Sequence, residues 1–124
     1  MWRVGSAFLL AAAVLLAASG PARAEGDPEE GRRLSEEHCA RCHVIGDFNR
    51  YGGLNSTPSF DGLLRMKDWR ERFETFFVRR PHQVFVRMPG IESPSLAPSH
   101  VTPFDFDEDK LEDLLSYVEE LKRS

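Results

Sequence analysis

The sequence predicts an all-α domain. Two segments repeat apolar residues with the period of a helix and begin with capping residues, and no segment shows a convincing two-residue period of a strand. Five prolines between residues 81 and 106 exclude a long regular element there. With 124 residues, of which 41% are hydrophobic, the chain is long enough for one domain with its own core.

Residues 1–24 have the pattern of a secretory signal peptide. Arg3 precedes an apolar run that is shorter than the roughly 20 residues of a membrane span, and Ala22-Arg23-Ala24 fits a cleavage site. We therefore expect an exported, periplasmic domain of residues 25–124 without a membrane span; an uncleaved anchor is the alternative. The net charge of −4 makes nucleic acid an unsuitable partner.

The first helix of this domain is predicted from its capping residues. Asp27 suits the N-cap, Pro28 the first helical position, and Glu30 the third, where an acid can reach back to the cap. The helix should end between Cys39 and Cys42.

The middle of the chain is predicted to be a loop followed by two helices. Residues 46–58 contain three glycines, two asparagines and a proline, a composition typical of a loop. A short helix is expected over residues 59–66, and a longer one from an Asp68 cap to the residue before Pro81. The buried stripe of the longer helix is predicted to be Trp69, Phe73, Phe76 and Phe77.

The last helix is the best defined of the predicted elements. Asp107 suits its N-cap, and Phe106 and Leu111 are placed to form a hydrophobic staple across that cap. Its apolar stripe comprises Leu111, Leu114, Leu115, Val118 and Leu121.

The only two cysteines of the chain, Cys39 and Cys42, are followed directly by His43. A redox dithiol normally follows a strand and opens a helix, whereas this motif lies at a helix end. A zinc site would need a fourth ligand, and no histidine stands at a recognisable spacing. These two alternatives stay open beside a third, covalent haem attachment.

Haem attachment fits the spacing best. On a helix, positions i, i+3 and i+4 lie within an arc of roughly 100°, so both thiols and the imidazole of His43 can face one flat ligand. The thiols of Cys39 and Cys42 would bind the two vinyl groups, and His43 would bind the iron. We therefore predict one haem c per chain.

A second axial ligand is expected on the opposite face of the iron. Met88 is the preferred candidate, because it lies in an extended stretch between the middle and last helices and thioether sulfur suits a cytochrome iron. Met66 is expected to fill the core, and His38 to be a solvated helix residue. His82 and His100 stay open as alternatives.

These residues together resemble class I c-type cytochromes, especially small bacterial single-haem proteins, over residues 25–124. Gly31, eight residues before Cys39, matches a glycine at which the first and last helices of that family cross. The segment Leu114-Leu115-Ser116-Tyr117 matches the facing surface of the last helix. Residues 89–106 are longer than the corresponding connection in compact members.

The resemblance implies a cytochrome c-like fold, in which the N- and C-terminal helices cross around one covalently attached haem. It also implies that the carbonyl of Pro58 accepts the proton on the far nitrogen of His43, and that His43 and Met88 are the iron ligands. The implied function is electron transfer between redox proteins, without enzymatic activity.

Two further functions are alternatives at this point. The first is a haem protein with an open or labile site that binds small gases or reduces peroxide, and the second is a cytochrome subunit of a periplasmic dehydrogenase or oxidase complex. Arg79, Arg80 and Arg87 flank the apolar residues near Met88, and this charge placement predicts an acidic redox partner at the haem edge.

Overall fold

The computed structural model describes residues 25–94 and 99–124; the predicted signal peptide lies outside these residues. Its regular elements are α1 (Pro28–His38), α2 (Phe60–Leu64), α3 (Trp69–Glu74), β1 (Val86–Arg87), β2 (Phe104–Asp105) and α4 (Glu108–Arg123), with 3-10 turns at Phe76–Val78 and His82–Val84. Within the described ranges, no helix is both long and apolar enough to cross a membrane.

Helix α1 begins as its capping residues predict. The Asp27 side chain accepts hydrogen bonds from the backbone N–H groups of Glu29 at 2.9 Å and Glu30 at 3.4 Å, and Pro28 occupies the first turn. These bonds satisfy two of the donors that a helix N-terminus leaves unpaired. The helix ends at His38, so the cysteine motif follows immediately.

Helix α4 also matches its prediction. Asp107 caps it by accepting the Lys110 N–H at 2.9 Å. The predicted stripe faces the interior: Leu114, Leu115 and Val118 are buried, and Leu111 and Leu121 pack against the core.

Helices α1 and α4 pack closely against each other at Gly31. A Cβ atom added at this position would lie 2.0 Å from the carbonyl oxygen of Asp113 and 2.8 Å from the Cβ of Tyr117. The backbone N–H of Asp27 donates to Asp113 Oδ1 at 2.7 Å and ties the start of α1 to the same part of α4. The predicted crossing at Gly31 is therefore present.

Helix α3 is shorter than the sequence predicts. The α-helix ends at Glu74 instead of continuing to the residue before Pro81, and a 3-10 turn follows. Thr75 explains the break: its hydroxyl donates to the Glu71 carbonyl at 2.6 Å, and its backbone has left the helical region. Such back-bonding by a β-branched side chain weakens the helix at that point.

The proline-rich connection contains a pair of strands that the sequence did not predict. Strands β1 and β2 are parallel, with Val86 opposite Phe104 and Arg87 opposite Asp105. The carbonyl of Phe85 accepts the Phe104 N–H at 2.9 Å. The pair brings residues on both sides of the undescribed segment 95–98 together and leads directly into α4.

Aromatic side chains from the middle and last parts of the chain form much of the core. Phe60 meets Phe73 edge to face at 5.2 Å between ring centroids, and Phe76 meets Phe106 in the same way at 5.2 Å. Met66 does not belong to this core, contrary to expectation, because its side chain lies after the end of α2 and is 37% exposed.

Candidate functional site

A cavity of about 360 Å³ lies between the end of α1, the middle helices and the strand pair. Its walls are mainly apolar and include Phe60, Phe73, Phe76, Phe85, Phe104 and Leu114. The exposed residues Arg41 and Arg80 also line it, so the cavity reaches the surface. An apolar cavity with a few polar groups at its edge suits a flat, largely hydrophobic ligand.

The cysteine motif forms one wall of this cavity. After α1, one more helical turn is made by hydrogen bonds from the N–H groups of Cys42 (3.1 Å) and His43 (2.9 Å) to the Cys39 carbonyl. All three side chains line the cavity. The structure thus brings Cys39, Cys42 and His43 to one place, as their spacing predicts.

Asn49 holds this turn from the loop that follows it, a role that sequence reasoning missed. Its side-chain oxygen accepts the Ile45 N–H at 2.7 Å, and its amide nitrogen donates to the carbonyls of Ala40 at 2.9 Å and His43 at 2.8 Å. One side chain therefore satisfies three backbone groups around the motif. The asparagine content of the loop was visible in the sequence, but it indicated only a turn.

Replacing Asn49 by alanine is expected to lower the free energy of unfolding by about 2 kcal/mol, because partly buried backbone groups would lose their hydrogen-bond partner. Denaturant unfolding of the full-length protein would measure this. Asn55→Ala, in an exposed part of the same loop, is the control and should change stability by less than about 0.5 kcal/mol. Equal stability of the two variants would contradict the role given to Asn49.

His43 is oriented by the residue that the family resemblance indicated. Its Nδ1 lies 2.6 Å from the carbonyl oxygen of Pro58. A carbonyl can only accept, so Nδ1 carries the proton and Nε2 is left as the basic nitrogen. Burial lowers the pKa of His43 and this hydrogen bond opposes the shift, which favours a neutral ring able to bind a metal.

The environment of the thiols does not suit a dithiol oxidoreductase. Burial raises the pKa of the Cys39 thiol to about 12, with a further contribution from Cys42. A catalytic thiol needs the opposite, since the thiolate is the nucleophile. Both cysteines are free and both line the cavity, so a ligand that occupies the cavity would contact them.

The zinc alternative gains no support from the geometry. Among the described residues, no group of three or more histidine, cysteine or acidic side chains converges as a metal-binding cluster. A structural zinc site needs about four protein ligands in close tetrahedral contact. The motif instead spreads its groups along a cavity wall, which suits a larger ligand.

Met88, the second iron ligand preferred from the sequence, is not among the residues that line the cavity. Met88 follows β1, and the pairing of β1 with β2 fixes the alternation of this segment: Val86 is buried, Arg87 is exposed, and Met88 packs partly buried against the core. His82, one of the open alternatives, lines the cavity instead. His100 is exposed and is not among the lining residues described.

His38 is also placed differently from its prediction as a solvated residue. Its ring stacks on Phe104, with centroids 4.1 Å apart and planes within 9°, and it lines the cavity. The strand pair causes this difference, because it brings Phe104 against the end of α1. His38 therefore contributes to the cavity wall that also carries Cys39 and Cys42.

Arginines surround the mouth of the cavity. Arg72 and Arg79 pair with Asp68 at 2.9 Å and Glu71 at 3.2 Å, respectively. Arg41 and Arg80 make no ion pair with any described residue. Two cations at the edge of an apolar cavity can bind the carboxylates of a ligand or the acidic surface of a partner.

Comparison with protein-family models, curated proteins and solved structures found no match for this chain.

Proposed function

We propose that this protein is a periplasmic electron carrier with one covalently attached haem in a cytochrome c-like fold. The observation that carries the proposal is the joint placement of both thiols and a carbonyl-oriented imidazole on the wall of one apolar cavity. The crossing of the first and last helices at Gly31 supports the fold assignment.

The residues of the cavity suit the attachment chemistry. Each thiol of Cys39 and Cys42 can add across one vinyl group, so that sulfur bonds to one carbon and the thiol hydrogen passes to the other. This addition needs no oxidant. The raised pKa of Cys39 keeps that thiol protonated, and the absence of any other cysteine in the sequence avoids competing disulfides in an oxidising compartment.

The protein groups then hold the cofactor and limit access to it. His43, whose ring is held by its hydrogen bond to the Pro58 carbonyl, would bind the iron through Nε2. The phenylalanine rings that line the cavity would exclude water from a cofactor bound there. When bound, the haem exchanges one electron with a redox partner as the iron changes between its ferric and ferrous states.

Electron transfer is favoured over gas binding or peroxide reduction because a second imidazole, that of His82, also reaches the cavity. Two protein ligands leave the iron no open position for a substrate. Stable membership of a dehydrogenase or oxidase complex would use the same chemistry with a permanent partner, and co-purification at moderate salt would distinguish it from a free carrier.

The spectrum of the haem-loaded protein tests the proposal. After expression of the full chain in an exporting host with haem-attachment machinery, we expect a c-type reduced spectrum, haem that resists acid–acetone extraction, and no spectral change when carbon monoxide is added. A protein without bound haem would refute the proposal. Covalent haem that binds carbon monoxide stoichiometrically would instead favour gas binding or catalysis as the function.

The partner surface is proposed to be acidic, because Arg41 and Arg80 stand at the cavity mouth without partners among the described residues. Electron exchange with an acidic redox protein should therefore slow as ionic strength rises, since salt screens the attraction. Stopped-flow rates across a salt series would measure this, with a neutral small-molecule reductant as the control. Rates that do not depend on salt would contradict an electrostatic docking site.

A further inference from the structure

His82 and His43 both line the cavity, and their imidazole rings lie close together with nearly parallel planes. Their centroids are 6.0 Å apart and their planes differ by 5°. Two imidazoles that bind one metal ion from opposite sides, each at about 2 Å and with its ring centre roughly 1 Å behind the nitrogen, lie with their centroids about 6 Å apart. The observed separation therefore agrees with that expected for two imidazoles bound to one iron.

The hydrogen bonds of the two rings are alike. His82 Nδ1 lies 3.2 Å from the Arg79 carbonyl oxygen, as His43 Nδ1 lies 2.6 Å from that of Pro58. Both carbonyls can only accept, so each ring carries its proton on Nδ1 and keeps Nε2 as the basic nitrogen. A histidine that ligates a metal typically donates its other ring nitrogen in this way.

The fold holds His82 in this position. The 3-10 turn at His82–Val84 begins after Pro81, and the Phe85 N–H donates to the His82 carbonyl at 3.0 Å. The ring of His82 is packed edge to face against Phe76 at 5.4 Å and Phe85 at 5.7 Å.

Resting on the haem-binding function proposed above, we infer that His82, and not Met88, is the second axial ligand of the iron. Two imidazoles at this separation suit a haem iron, whereas two ligands alone would make a poor structural zinc site, which needs about four. A thioether ligand raises the potential of a cytochrome iron. A carrier with imidazole in place of the thioether is therefore expected to have a lower reduction potential than a His/Met cytochrome.

The full-length haem-loaded protein tests this assignment through its ferric spectrum. We expect a low-spin ferric haem without the far-red methionine-to-iron band. His82→Ala should convert the ferric haem to high spin and allow stoichiometric carbon monoxide binding to the ferrous form. Met88→Leu, which conserves volume, should leave both properties unchanged and serves as the matched variant.

The wild-type spectrum decides the question even if His82→Ala does not retain haem. A far-red methionine band in the wild type, lost in Met88→Leu, would overturn the assignment while leaving covalent haem and electron transfer intact. A high-spin wild-type haem would overturn it and also weaken the electron-carrier proposal. If the haem-binding proposal itself were wrong, the protein would carry no covalent haem. This outcome is distinct from a haem whose second ligand is not His82.

Discussion

Gly31→Ala is expected to lower the free energy of unfolding by about 3 kcal/mol, at the upper end of the usual range for overpacking. The added Cβ would lie 2.0 Å from the Asp113 carbonyl oxygen, so α1 must lift away from α4. The N–H of Asp27, bonded to Asp113 Oδ1, would lose its partner in the same movement. Denaturant unfolding of the full-length protein measures the loss.

Gly62→Ala is the matched control for this experiment. Gly62 also lies in a helix, but its added Cβ would meet only the Ser59 hydroxyl, at 3.3 Å. Alanine there should change stability by less than about 1 kcal/mol, because the gain in helix propensity offsets the tighter contact. If Gly31→Ala proved as stable as Gly62→Ala, the close crossing of α1 and α4 would be wrong.

The elements that the sequence predicted well are those whose signals are local. Asp27 and Asp107 were recognisable as N-caps because the hydrogen bonds of an N-cap side chain reach only the next three residues. The stripe around Val118 was predictable because helical periodicity identifies a buried face. The spacing of Cys39, Cys42 and His43 predicted their shared orientation for the same reason.

The features that were missed depend on contacts between distant parts of the chain. Strand β1 pairs with β2 across the proline-rich connection, and two-residue strands are too short to show a period. That pairing keeps Met88 against the core and brings Phe104 onto His38. The sequence favoured Met88 because of its thioether and its position between the middle and last helices. The ring of His82 reaches the cavity because of a 3-10 turn at His82–Val84, which no local pattern indicated.

Replacing both cysteines by serine is expected to abolish covalent haem attachment. In Cys39→Ser/Cys42→Ser the hydroxyl groups cannot replace the thiols as nucleophiles toward the vinyl groups, while the cavity and His43 remain. All haem should therefore pass into acid–acetone extracts. The single variants should each keep the haem through one bond, with a shifted reduced spectrum. Heme staining of denatured protein on gels measures the covalent fraction.

Arg41→Lys is the control, because Arg41 lies between the two cysteines. It tests whether a substitution in this turn disturbs haem attachment when both thiols are kept. Arg41 is exposed and makes no ion pair among the described residues, so this variant should retain covalent haem in full. A noncovalent ligand that dissociates stabilises a fold only through the logarithm of its concentration relative to its dissociation constant. The double serine variant, which can lose its haem, should therefore also unfold at lower denaturant concentration. Haem that stays attached after denaturation of the double variant would show that other residues form the bond, and the role given to Cys39 and Cys42 would have to be abandoned.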